Sequence, residues 1–122
     1  MNVALWIVQA LLALNFLIHG RMMLSPTKTQ TDRMPYILAV PPGLQRFIGV
    51  VEMLAAVGLI VPQLTNILPW LTPLAAAGLV ILMVFAIIFH IPRKEYPNIV
   101  FNLILLALSA FVAYGRFVIL PS

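Results

Sequence analysis

Glu52 lies inside an apolar run, Phe47 to Val61, of a 122-residue chain that is 63% hydrophobic and 8% charged. A carboxylate so placed can hold a proton, deliver one, or meet the polar head of an otherwise apolar molecule. Inserting a charged group at bilayer depth costs about 2.5–3.5 kcal/mol, so such groups usually face a bundle interior and mark a site. The other side chains able to share that chemistry are His19, His90, Asn15, Asn98, Asn102 and Arg46.

Their spacing suggests a shared interior. Asn15 and His19 are four residues apart and stack on one helical face. Asn98, Asn102, Ser109, Ala113 and Arg116 follow one stripe, at spacings of 4, 7, 4 and 3. Arg46 and Glu52 are separated by about 9 Å along a helix axis and roughly a third of a turn around it. Glutamate leans toward the N-terminus of its helix, hence toward Arg46. Each is expected to meet groups on neighbouring helices, and Gly49 leaves room between them for a neighbour or a ligand. The expected ligand-binding set is Arg46, Gly49, Glu52, His19, His90, Asn102 and Asn15.

A structural reading stands beside this one: an Arg–Glu network tied to asparagines fixes which helices pack together. His19 and His90 taken alone read as satisfied interface histidines. Bis-histidine haem ligation between them is compatible with their matching depth, although no other haem signal accompanies it. No metal-ligand spacing, glycine-rich phosphate loop or nucleophile elbow is present. The chain has no cysteine, which excludes disulfides, thiol redox chemistry and thiolate-held iron–sulfur clusters. Asp32, the single aspartate, falls in a connection. No catalytic set emerges, and the chain is not expected to catalyse a reaction on its own.

Four segments must position these residues, each near the roughly 20 apolar residues that a spanning helix needs. They run about Val3 to Leu24, Gly43 to Val61, Trp70 to Ile91 and Pro97 to Leu120. Pro41-Pro42 opens the second and Pro62 closes it; Pro69 and Pro92 flank the third. The mean hydropathy of +1.10 fits one integral membrane domain over residues 1–122, an all-α transmembrane four-helix bundle. The first segment lacks a basic leader and a cleavage pattern and reads as a retained helix. The first connection, Ser25 to Val40, is polar and then apolar at Met34-Pro35-Tyr36-Ile37-Leu38, an interfacial linker or a cover over one end of the bundle. Ala55, Ala56 and Gly58 are expected to meet Ala75, Ala76, Ala77 and Gly78, where small side chains let helices approach.

Charge orients the bundle. The first and third connections carry Arg21, Lys28, Arg33, Arg93 and Lys94, with Arg46 just inside the second helix, while the second connection carries none. The positive-inside rule places those two connections in the cytoplasm, and the expected location is the bacterial inner (plasma) membrane. The sequence pI of about 10.2 does not imply a nucleic-acid partner. The basic residues are few and juxtamembrane, where they act against anionic lipid. Arg116 reads as a snorkelling anchor, and Trp6, Trp70 and Tyr114 as interfacial belt residues. Under this reading the polar groups gather in one half of the bundle.

The run from Leu44 to Leu59, with Arg46, Gly49, Glu52, Ala56, Gly58 and Leu59 at R-x-x-G-x-x-E-x-x-x-A-x-G-L spacing, resembles the DoxX-like family of small four-helix membrane proteins. Ala75 to Leu79, His90 with Arg93 and Glu95, Asn102 and Gly115-Arg116 extend the likeness along the chain. The resemblance implies a bundle of this topology, with motif positions at Arg46, Gly49, Glu52, His90, Asn102 and Arg116. Some relatives are named as membrane subunits of a thiosulfate:quinone oxidoreductase, others are linked to oxidative-stress complexes, and animal relatives help assemble acetylcholine receptors. Redox-active cysteines of some relatives are missing here, which argues against thiol-based activity.

The leading expectation is an accessory or redox-complex membrane subunit binding a lipid-soluble ligand such as a quinone at the intramembrane Arg/Glu/His pocket. The alternatives are an assembly factor or interaction module with a structural polar network, and a small transporter or proton channel. The expected partners are the lipid bilayer, that ligand, and a partner membrane protein or a second copy of the chain.

Overall fold

The computed structural model describes residues 2–33 and 36–119. Met34-Pro35 in the first connection and the Leu120 end of the fourth segment lie outside the described residues. The elements are α1 (Asn2–Leu24), α2 (Lys28–Arg33), α3 (Tyr36–Ala39), α4 (Pro42–Thr65), α5 (Leu71–His90) and α6 (Tyr96–Tyr114), continued by a π turn, Gly115–Ile119. Among the described residues, α1, α4, α5 and α6 (with the start of the π turn) are long and apolar enough to cross a membrane. Less than a third of each span is buried inside the protein. The outer faces carry Ile7, Leu54, Ile81 and Val100, side chains that lipid solvates and water does not.

Pairs between helices fix the topology. Gln9 meets Leu59 and His19 meets Glu52, so α1 and α4 run antiparallel. Thr72 meets Gly58, and Arg116 meets Asn2 and Gln9, which makes α4–α5 and α6–α1 antiparallel too. The core between them contains Leu12, Phe16, Leu59, Leu79, Met83 and Val112. As the spacing of small residues suggests, Ala56 and Ala76 are buried in it. A Cβ at Gly58 would stand 3.0 Å from that of Ala75.

A backbone-to-backbone crossing lies elsewhere. A Cβ at Gly20 would fall 2.8 Å from the carbonyl oxygen of Gly49, and one at Gly49 would fall 2.7 Å from that of Gly20. Backbone therefore packs on backbone where α1 crosses α4, one residue from His19 and three from Glu52. The space left by Gly49 is taken by a neighbouring helix.

Two boundaries depart from expectation. Pro62 does not close α4, which continues to Thr65 and ends at Asn66 in the left-handed conformation, φ 56°. An internal proline cannot donate to the carbonyl four residues back. That orphan is the Gly58 oxygen, and the Thr72 hydroxyl of α5 donates to it at 2.8 Å. The first connection is partly helical, and Ile37 of α3 is buried against Met22 and Met23.

Buried polar groups are not confined to one half of the bundle. At the opposite end, Arg116 is 3% exposed and turned inward, not snorkelling. Acceptors on α1 hold it there. Arg116 Nε donates to Gln9 Oε1 at 2.7 Å and Nη1 to Asn2 Oδ1 at 3.0 Å. Gln9 in turn donates from Nε2 to the Leu59 carbonyl at 2.6 Å.

Candidate functional site

A cavity of about 780 Å³ opens within the bundle at the end that carries the first and third connections. All four spanning helices line it. Its wall is mostly apolar, with the rings of Phe16, Phe47, Phe85, Phe89 and Phe101. The polar lining is Asn15 and His19 from α1, Glu52 from α4, His90 from α5, and Asn98 and Asn102 from α6.

Glu52 is the deepest charge and is 1% exposed. His19 Nδ1 stands 2.9 Å from both carboxylate oxygens. An ionised carboxylate only accepts, so in that state Nδ1 carries the proton and donates. The pair joins α1 to α4. One α1 turn away, Asn15 adds an amide to the same wall.

A second histidine–carboxylate pair lies at the aqueous edge. His90, 5% exposed, places Nδ1 2.8 Å from Glu95 Oε1, and Arg93 Nε donates to the same oxygen at 2.8 Å. The turn that allows this holds Lys94 at φ 57°, a conformation unusual for a side chain with a Cβ. Arg93 also sits 5.5 Å over the Phe89 ring, whose edge packs on His90. Burial raises the Glu95 carboxyl, but hydrogen bonds from Arg93 and His90, with their charge, outweigh it and hold it below its ordinary value of 4.5.

A carboxyl depressed in the folded state stabilises the fold above its unfolded value and loses that contribution as pH falls through the folded one. Wild type is therefore expected to melt above Glu95→Gln at pH 7. The gap should close as pH drops below about 4.5, read from thermal unfolding in detergent across that range.

Five of the seven expected ligand-binding residues meet in this cavity: Asn15, His19, Glu52, His90 and Asn102. Arg46 lies on the exposed side of α4 and does not line it. A third of a turn separates Arg46 from Glu52; once Glu52 faces inward, Arg46 cannot. Gly49 acts through the α1–α4 crossing. Asn98, named with the candidate polar groups but not in the expected ligand-binding set, also lines the cavity one turn before Asn102, as do five phenylalanines, whose spacing is that of any apolar helix. Sequence reasoning passed over Glu95 as a partner of His90. Among the described residues, no group of three histidine, cysteine or acidic side chains could hold a metal ion.

No match was found among curated proteins or among solved structures. A family model described as the DoxX-like family matches residues 7–112, which includes every polar residue lining the cavity. With four membrane-length helices and a match over most of its length, this small membrane protein belongs to the DoxX-like family.

Proposed function

We propose that this protein binds a lipid-soluble molecule with a polar head, a quinone foremost, as an accessory membrane subunit of a redox complex. The observation that carries the reading is the cavity itself: phenylalanine-lined, with few polar groups, among them the His19–Glu52 pair. Its volume of about 780 Å³ falls in the range of sites for small organic ligands. The amides of Asn15 and Asn102 can donate to ring oxygens, the phenylalanines offer faces for the ring, and the tail leaves between helices into lipid. A quinone supplies two-electron chemistry when bound. The chain's own part is to hold the head, exclude water, and hold or move a proton at Glu52 or His19. Electrons would come from a partner chain.

Six of the seven basic residues lie at the cavity end, Arg116 being the exception. The positive-inside rule then turns that end to the cytoplasm of a bacterial inner membrane.

The test is native mass spectrometry and a visible spectrum on gently purified protein, followed by titration with a short-chain ubiquinone. Wild type is expected to carry or bind quinone, with affinity reduced at least about tenfold in Glu52→Gln, the loss of one charge-assisted hydrogen bond. Wild type that neither retains quinone nor binds the added analogue would sink the proposal.

A further inference from the structure

At the end of the bundle away from the cavity, Arg116 is buried, and among the described residues no carboxylate meets it. The chain has three acidic residues, Asp32, Glu52 and Glu95. Glu52 is engaged by His19, and Glu95 by His90 and Arg93. Asp32 is exposed on α2, in the connection at the far end. A guanidinium does not release its proton in a protein, and a buried charge without compensation is costly. The C-terminal dipole of a helix offers only about half a negative charge.

Neutral groups cover part of the guanidinium: Gln9 and Asn2 accept from it, and the Trp6 ring lies 5.5 Å from it. Two buried polar atoms are left without a partner among the described residues, Arg116 Nη2 and Ser109 Oγ. They belong to one face, because seven residues make close to two helical turns. A long side chain on a helix also leans back toward its N-terminus, which brings the Arg116 head toward Ser109. The guanidinium N–H and the serine hydroxyl each lack a partner among the described residues, and one anionic acceptor would answer both and the charge.

We propose that Arg116 and Ser109 seat an oxygen of a phosphate-type oxyanion, admitted where Asn2, exposed at the start of α1, covers the guanidinium. The source is either the phosphodiester of an anionic lipid headgroup or free inorganic phosphate. Arg116 stands near the end of the Tyr96–Val118 span, at the level where headgroups lie. The site is independent of the quinone cavity.

The experiment adds phosphatidylglycerol, diacylglycerol or inorganic phosphate to the purified full chain in a non-ionic detergent. Adducts are read by native mass spectrometry and stability by thermal unfolding. Wild type is expected to retain phosphatidylglycerol and to melt higher with it, while diacylglycerol, which lacks the phosphate, does neither. Arg116→Gln keeps an amide but removes the charge and should lose the adduct. Ser109→Ala, a smaller change that keeps the fold testable, should need about tenfold more lipid for half-saturation, as for one hydrogen bond to an anion. Inorganic phosphate raising the melting temperature as much as the lipid would identify the free ion as the source. The proposal is overturned if neither phosphate source binds or stabilises wild type, or if both variants respond as wild type does; water would then satisfy the two donors.

Discussion

Gly20→Val is expected to force α1 away from α4 and, in the same step, to abolish ligand binding in the cavity. A side chain at Gly20 meets the backbone oxygen of Gly49 and Met53 Cγ, both at 2.8 Å, and then Glu52 Cβ at 3.2 Å. Met53 can rotate aside, but a carbonyl inside a helix cannot without breaking its ladder. The helices must therefore separate. Overpacking against movable side chains typically costs about 1–3 kcal/mol, and against backbone the upper end or more is expected. His19 precedes Gly20, so separation also draws its ring away from Glu52. Thermal unfolding in detergent and quinone titration measure the two effects. Gly78→Ala is the control, since a Cβ there meets nothing within 4 Å, and alanine is favoured over glycine in a helix by about 0.8–1.0 kcal/mol. If Gly20→Val behaves like the control, the crossing does not hold the site together.

The second large effect lies in the His19–Glu52 pair and separates a structural role from a functional one. His19→Leu leaves Glu52 in place, 1% exposed, without its hydrogen-bond partner. Leaving a buried polar group unpaired typically costs about 1–3 kcal/mol, whereas replacing both partners with apolar groups is often neutral or stabilising. The double variant His19→Leu/Glu52→Met is therefore expected to melt near or above wild type, while His19→Leu alone melts well below it. Neither should bind the short-chain ubiquinone. A double variant less stable than either single one would mean that the pair chiefly holds the fold. A double variant that still binds quinone would move the head of the ligand elsewhere in the cavity.

The helices were legible because lipid demands long apolar runs and proline marks their ends. Pro62 shows where that logic stops. Whether a proline ends a helix depends on who satisfies the carbonyl it strands, and here Thr72 does so from the next helix. Depth was equally legible, so Asn15, His19, Glu52, His90 and Asn102 could be assigned to one end from spacing alone. Facing was not. Arg46 shares the depth of the site but not the azimuth of Glu52. Arg116 reads as a surface anchor until α1 is placed beside α6, where Asn2 and Gln9 accept from it. The Gly20–Gly49 crossing was hidden for the same reason: each glycine is unremarkable until its partner helix is known.

The antiparallel order of the helices also bears on how the protein is made. Synthesis runs from α1 to α6, so His19 is already in the membrane when Glu52 follows on α4. Asn2 and Gln9 are likewise in place long before Arg116 arrives at the end of the last span. Glu52 and Arg116 thus each enter beside a partner delivered earlier, and neither has to wait there alone. Biogenesis in this chain brings the buried carboxylate and the buried guanidinium into a bilayer where their α1 partners already lie.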